Sequence, residues 1–383
     1  MYFVLKLSKL CNLRCTYCYE YEELGVRDRM PLAAMEHFFA GLAARQPPGG
    51  WPRLDFVLHG GEPMLLPAEY LEQFVELQRQ HLGGAGIRYR TSLQTNLTRL
   101  DAEAIARLER LQIGLGVSLD VFGDQRVTLA GRSSQDKVLR NIQLLFDTRA
   151  IERLGVGIIS VLHRANVDRV VGTFEFCAHL RLNYRILPIF SIADPPARMR
   201  HLMLEHDQVV DALQAVARRW LTSDEPIDVY PLRHYLDAAV YQLLGREANR
   251  YDPSIDEWAV IVNTNGDAYT HADAYTQDGY IGNLFVEPLL DVLQSELHRR
   301  TIELRLARSA TCHRCQFGHG CSRLPVIEAL PSERAYDAAG APRCPIAEPM
   351  IRFMVQEIQS NRAALSLLKD THPTVDAGAL PTV

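Results

Sequence analysis

Apolar, β-rich runs alternate with helix-patterned runs through the first half of the chain, and this rhythm limits the fold more than any other feature. Tyr2–Leu7, Leu54–Leu58, Arg88–Leu93, Ile113–Leu119, Val156–Val161 and Tyr184–Ile189 read as strands. Between them, residues 31–45, 68–81, 101–111, 135–149 and 167–180 read as helices, the first with apolar positions at Leu32, Met35, Phe38, Phe39 and Leu42. Regular strand-then-helix order implies an α/β fold with parallel strands and helices packed outside them. Six such units are too few for a closed eight-fold barrel. In arrays of this kind, functional groups collect where strands give way to loops. Here Cys11–Cys18 follows the first strand, Gly60-Gly61-Glu62 the second, Gln94-Thr95-Asn96 the third and Ser118-Leu119-Asp120 the fourth.

Cys11, Cys15 and Cys18 are spaced C-x3-C-x2-C, with Tyr17 before the last. Three thiolates can hold three irons of a cubane and leave the fourth iron open to a substrate or cofactor. A structural metal site instead closes its coordination with four protein ligands. A zinc knuckle and three unrelated buried cysteines are the other readings of this spacing. The remaining cysteines are 177, 312, 315, 321 and 344. Clustering at the two ends with metal-type spacings, in a chain without an export signal, points to metal ligation rather than disulfides. Cys177, in a predicted helix, reads as core packing. Cys312-x2-Cys315-x5-Cys321 with the distant Cys344 suits zinc or a four-thiolate iron–sulfur cluster.

The 383 residues leave room for one large domain and a smaller one. A net charge of −5 gives no electrostatic reason to expect a nucleic-acid or membrane partner. No apolar run approaches the roughly 18 residues that span a bilayer, and the N-terminus lacks a signal-peptide layout. The cytoplasm is the default location. Residues 196–250 read as helical and mixed, with His201, His206 and His234 scattered as solvated or core residues. From Trp258 the pattern becomes a hairpin, Val260–Val262 and Ala268–Thr270 around a turn at Asn263–Gly266, with Gly282-Asn283-Leu284 following. Beyond Arg362 the composition predicts a disordered tail.

The C-x3-C-x-aromatic-C loop resembles the signature of the radical S-adenosylmethionine (SAM) enzymes. In that family SAM chelates the open iron, and one electron cleaves it to methionine and a 5′-deoxyadenosyl radical. The resemblance implies a partial (β/α)6 barrel. Gly60-Gly61-Glu62-Pro63 resembles the family's Gly-Gly-Glu-Pro, in which strand-end carbonyls and a carboxylate accept from SAM's ammonium and the glycines admit a close backbone approach. Ser118 and Asp120 resemble its Ser-x-Asp, expected on the ribose or methionine portion. Asp124-Gln125-Arg126 and Gly131-Arg132-Ser133 resemble the family's His-Asp-x-x-Arg-x4-Gly-x-Gly-Ser, with a shorter linker and the second glycine replaced. Arg126 is then expected on the methionyl carboxylate through its two-pronged geometry. Gln94 and Asn96 stand where the family often has Thr-Asn-Gly, with Leu97 in place of the glycine. Tyr17 is expected near the adenine, and Leu187 with Pro188 is expected to wall the adenine pocket.

The hairpin and the second cysteine group resemble the SPASM extension, which normally carries two auxiliary clusters. Its G-x4-C element appears as Gly266-x4-His271, its leading cysteine between residues 250 and 256 is absent, and Pro325 stands where a cysteine is expected after Cys321. Every departure falls on the barrel-proximal cluster. The resemblance therefore implies two 4Fe-4S clusters: one binding SAM, and one auxiliary, held by Cys312, Cys315, Cys321 and Cys344 and suited to electron transfer. The expected organisation is a radical SAM partial barrel at 1–195, a helical bridging region at 196–255, a SPASM-like domain at 256–350, and a C-terminal helix and tail at 351–383. The expected function is maturation of a ribosomally made peptide by a cyclophane-type or related crosslink. Sulfatase-maturase-like protein oxidation, a small-molecule dehydrogenase and a zinc-binding interaction protein are the alternatives. Expected partners are a precursor peptide and an electron donor such as flavodoxin or ferredoxin. Because the chain starts at its first strand, either a separate recognition protein or the barrel itself is expected to select the peptide. No general base is identifiable, and His271 has no assigned role.

Overall fold

A computed structural model describes residues 1–191 and 194–360. The expected disordered tail lies outside the described residues. The strands are β1 (Tyr2–Ser8), β2 (Leu54–Gly60), β3 (Tyr89–Thr95), β4 (Ile113–Ser118), β5 (Gly157–Leu162), β6 (Asn183–Pro188), β7 (Val229–Tyr230), β8 (Ala259–Val262), β9 (Asp267–Thr270), β10 (Tyr280–Asn283), β11 (Ala335–Tyr336) and β12 (Pro342–Arg343). The chain groups into two compact units, one of residues 1–120, 124–157 and 253–304, the other of residues 121–123, 158–252 and 305 onward.

In the first unit the strand order is β10-β9-β8-β1-β2-β3-β4. The pairs β1–β2, β2–β3 and β3–β4 are parallel, as the strand-then-helix order requires. Helices Leu32–Ala44, Ala68–Gln78 and Ala102–Arg110 connect them. The last is capped by Asp101, whose side chain accepts from Ala104 N at 2.8 Å. Phe3, Leu5 and Leu7 of β1 and Leu54, Phe56 and Leu58 of β2 are fully buried. Phe3 stacks on Phe56 at 5.3 Å between ring centroids; Phe38 meets Phe3 and Phe39 meets Phe56 edge-on, and Phe74 packs edge-on against Phe39. Each such side chain contributes roughly 1.5–3 kcal/mol through burial, so this packing sets which face of β1 and β2 is left for polar residues.

The expected hairpin is present, β8 with β9 antiparallel, and β10 adds to it. Its placement was not foreseen. β8 pairs parallel with β1, from Tyr2↔Ala259 to Leu5↔Val262, so the hairpin extends the sheet that carries the cysteine loop.

In the second unit the order is β5-β6-β7, with β6 and β7 parallel. Residues 196–250, expected as helical, hold helices His206–Leu221 and Leu232–Leu243 but also β7. A two-residue strand carries too little periodicity to be read from sequence. Helix Ala347–Ser360 packs on both of those helices. Cys177 is fully buried in helix Val170–His179, a core residue as expected. No helix among the described residues is long and apolar enough to cross a membrane.

Candidate active site

The cysteine loop leaves β1 at Ser8, and its path is set by the end of β2. Gly61 N donates to Ser8 O at 2.7 Å and Glu62 N to Leu10 O at 2.9 Å. A Cβ on Gly61 would lie 2.5 Å from the carbonyl carbon of Leu10 and closer still to the oxygens of Lys9 and Leu10. Gly60, at φ +121°, lies as tightly against Ser8. The glycine pair thus allows a close backbone approach, as expected, but in the described chain the approaching backbone is the entry to the cysteine loop.

A second segment holds the loop from its other side. Arg14 N donates to Val127 O at 2.7 Å and Thr16 N to Gln125 O at 3.0 Å, and Leu13 and Thr128 form an antiparallel bridge. This ladder brings Arg126 beside Tyr17. The guanidinium donates to the Tyr17 hydroxyl at 2.8 Å, and that hydroxyl donates in a short bond to Asp120. Tyr17, expected near the adenine, therefore has its polar end engaged by Asp120 and Arg126. Burial opposes the charge on Arg126, but Tyr17, Cys15 and Asp120 outweigh it and hold the guanidinium protonated. Arg126 Nε is buried without a hydrogen-bond partner. A cleft lined by Leu119, Asp120, Asp124, Arg126, Ser133, Ser134, Gln135 and Val138 opens beside it.

Glu62 is 1% exposed. Its Oε1 accepts from Met64 N at 2.9 Å and Thr95 Oγ1 at 2.8 Å, and its Oε2 accepts from Asn96 N at 2.7 Å. A carboxylate has about four acceptor positions, so one remains, on Oε2. Asn96 Nδ2 donates to Asn12 Oδ1 at 2.9 Å and faces Cys11 Sγ at 3.8 Å. Glu62 therefore fastens the end of β3 to the cysteine loop. Leu97, where the family favours glycine, sits at φ 58°. This left-handed conformation, costing roughly 1–2 kcal/mol for a non-glycine residue, is held by Thr95 Oγ1 on its N–H and Asn141 on its carbonyl. Gln94 lies across Gly116 and donates to Ser118 Oγ at 2.7 Å. Gln94 and Ser118 thus satisfy each other, whereas Asn96 joins the cysteine loop. Leu187, near the end of β6, belongs to the second unit.

Burial raises the thiol of Cys11 to about 11 and that of Cys18 to about 12. It raises Cys15 too, against the opposing charge of Arg126. Thiolates in such a place need a cationic partner, which bound metal supplies. Leu13 N donates to Cys11 Sγ at 3.4 Å.

In the second unit, Cys312 and Cys315 flank the end of a short helical turn, and Cys344 precedes helix Ala347–Ser360. Arg323 N donates to Cys321 Sγ at 3.4 Å and Glu348 N to Cys344 Sγ at 3.3 Å. Burial pushes Cys344 up to about 12, and Cys321, Cys312 and Cys315 add to the shift, so the four thiols lie within electrostatic reach of one another. Gly320 allows this turn to lie on the backbone of helix Leu232–Leu243, where a Cβ would meet Gln242 N at 2.7 Å. Among the described residues, no three His, Cys, Asp or Glu side chains converge as for a single metal ion. The unpartnered Arg126 Nε and the open acceptor on Glu62 fit the carboxylate and ammonium of a SAM molecule. His271 packs edge-on against Trp258 at 4.6 Å between centroids.

Sequence reading missed a polar group in the first unit: the buried Lys6 with the half-buried Tyr19, Glu20, His59 and Tyr275. Lys6, 2% exposed, forms a short ion pair with Glu20 and lies 3.8 Å from the Tyr275 ring centroid. The tyrosines stack at 5.5 Å. A lysine inside an otherwise apolar first strand was the available signal.

Residues 5–177 match the Radical SAM superfamily. The serine-type anaerobic sulfatase-maturating enzyme of Klebsiella pneumoniae is 28% identical over 220 residues, 56% of this chain and 51% of that protein. The chain thus spans about half the length of that relative. The corresponding enzyme of Bacteroides thetaiotaomicron is 22% identical over 84% of this chain and 81% of its own length. Among solved structures, anSMEcpe with bound AdoMet and Cp18Cys peptide superposes with TM-score 0.74 at 17% identity, covering 96% of this chain and 99% of that one. SuiB of Streptococcus suis bound to its precursor peptide SuiA gives TM-score 0.54 at 15% identity, covering 84% and 70%. Residues 5–177 thus form a Radical SAM superfamily domain, and the described chain shares its fold with anSMEcpe.

Proposed function

We propose that this protein is a radical SAM maturase that oxidises a peptide or protein side chain by two electrons, closing an intramolecular crosslink of the cyclophane type. The observation that carries the reading is the pairing of two cysteine sets, three thiols beside a buried arginine whose Nε lacks a hydrogen-bond partner and four thiols within electrostatic reach of one another in the second unit. Cys11, Cys15 and Cys18 would hold one 4Fe-4S cluster, and Cys312, Cys315, Cys321 and Cys344 a second. With SAM bound, the first cluster supplies reductive cleavage and thus a hydrogen-abstracting radical; the second is an electron acceptor.

The chain's own residues bind, orient and shield. Arg126 takes the methionyl carboxylate through its free Nε, and Glu62 takes the ammonium on Oε2. Asp120 and Arg126 fix Tyr17 between them, and Asn12 and Asn96 keep the Cys11 loop closed. Ser118 and Gln94, bonded to each other, face the ribose side. A reduced flavodoxin or ferredoxin supplies the starting electron, and a separate recognition protein or the barrel selects the peptide.

A second reading, oxidation of a serine or cysteine side chain, is supported by similarity to the serine-type sulfatase-maturating enzymes and to the cysteine-type enzyme of Clostridium novyi, 20% identical over 82% of this chain. It uses the same residues and the same electron count. Anaerobically reconstituted enzyme, incubated with SAM, reductant and co-expressed candidate peptides, separates the two by mass spectrometry. A crosslink loses two hydrogens and survives carbonyl reagents, whereas an oxidised serine reacts with them. Absence of any modified peptide together with stoichiometric zinc at the second cysteine set would refute both.

A further inference from the structure

His59 is the last side chain of β2 before the glycine pair. It pairs in register with Lys6 of β1, so the two share one face of the sheet, opposite the fully buried Leu5, Leu7 and Leu58. Its Nδ1 is buried with no hydrogen-bond partner, while the residue as a whole is only half-buried. A buried, unpartnered imidazole nitrogen at the end of a sheet strand calls for a functional explanation. The neighbouring groups are already engaged. Lys6 is ion-paired with Glu20 and lies over the Tyr275 ring, and Tyr19 is stacked on Tyr275.

We infer that His59 is the proton acceptor for the substrate in the second half of the oxidation. This rests on the two-electron reading above. Once a hydrogen atom has left the attacked carbon and the new bond has formed, the substrate must still lose one electron and one proton. An oxidised iron–sulfur cluster, which Cys312, Cys315, Cys321 and Cys344 would hold, would supply the electron acceptor. The proton goes from the closing ring carbon to the imidazole, breaking C–H and forming N–H, and later to solvent. Glu20 is a poorer candidate because Lys6 holds its carboxylate. Burial, then the charge of Lys6, push the imidazole down to about 4 against the opposing pull of Glu20, which leaves it unprotonated at neutral pH but a weak base, matched only to a proton as acidic as that of the oxidised ring intermediate.

The test uses the reconstituted holoenzyme with SAM and, as probe, a pool of synthetic peptides rich in aromatic, serine and cysteine residues. Products are read as loss of two hydrogens, and 5′-deoxyadenosine is measured alongside. In His59→Gln the ratio of product to 5′-deoxyadenosine should fall about 100-fold, the scale of a lost general base. Wild-type product formation should hold down to about pH 5 and fail as the imidazole protonates. An unchanged ratio in His59→Gln, or a wild-type profile breaking near the ordinary histidine value, overturns the assignment. If the wild type modifies no peptide, the two-electron reading itself fails. His59 is then judged by unfolding alone: stability of wild type and His59→Gln that varies identically between pH 4 and 7 overturns its neutral state, and divergence over that range supports it.

Discussion

Replacing Gly61 with alanine tests how the cysteine loop is built. The new methyl group would sit 2.5 Å from the carbonyl carbon of Leu10, and the atoms it meets are backbone, which cannot rotate away. The loop must shift, and with it the hydrogen bonds from Gly61 N to Ser8 O and from Glu62 N to Leu10 O. Two such bonds are worth about 2 kcal/mol together, and forced overpacking adds about 1–3 kcal/mol. The expected loss is about 3–5 kcal/mol in urea unfolding. A loop displaced at Leu10 also displaces Cys11, so reconstituted protein should lose about four irons, one cubane's content. Gly155→Ala is the control: nothing lies within 4 Å of its Cβ, but its φ is +57°. It should cost only about 1–2 kcal/mol, from conformation alone, and keep its iron. If Gly61→Ala unfolds within 1 kcal/mol of wild type, a bound on the order of a single hydrogen bond, and keeps its full iron content, the glycine pair does not shape the loop.

Glu62→Gln should weaken SAM binding at least about tenfold, equivalent to about 1.4 kcal/mol, because its amide would oppose one of the donors now satisfied by the carboxylate; equilibrium dialysis of SAM measures this. Arg126→Ala should do the same, and normal SAM affinity in both variants would remove these residues from the cofactor site. Anaerobically reconstituted wild type should hold about eight irons, and Cys344→Ser about four with SAM cleavage retained and product lost; full crosslinking in that variant would make the second cluster structural. For His59 the folded value lies below the unfolded one, so the unfolded chain binds the extra proton. Its contribution is therefore present above about pH 6.5 and lost as pH falls toward about 4. Unfolding of wild type should weaken by up to about 3 kcal/mol over that range, and His59→Gln should lack this component.

Much of the fold was legible because its signals are local. Each of the first strands and helices declares its period within a dozen or so residues, and the Asp101 cap is a one-residue signal. The pairing of β8 with β1 was not legible, since nothing in Ala259–Val262 names a partner some 250 residues earlier. At the site, the chemical types and strand-end positions of Cys11, Glu62 and Arg126 were readable, but their immediate partners were not. Glu62 looked like a ligand for a cofactor ammonium and spends three acceptor positions on Met64, Thr95 and Asn96. Tyr17 looked like an adenine neighbour and is tied to Asp120 and Arg126. Lys6 and His59 were missed because a polar residue at alternate strand positions ordinarily marks a solvent face.

The ladder that joins residues 13–16 to residues 125–128 has a consequence for biosynthesis. A chain emerging from the ribosome presents all three N-terminal cysteines long before Gln125 and Val127 exist to receive Arg14 and Thr16. Closing so long an interval has its own entropic cost, to be met by contacts made at the same moment. The nascent loop therefore stays open while the second, third and fourth strands are being made, and its thiols remain reachable by whatever delivers iron and sulfide. The ladder can form only when the turn after β4 arrives, so the arrangement of the chain leaves an interval during synthesis in which the cysteine loop lacks this cover.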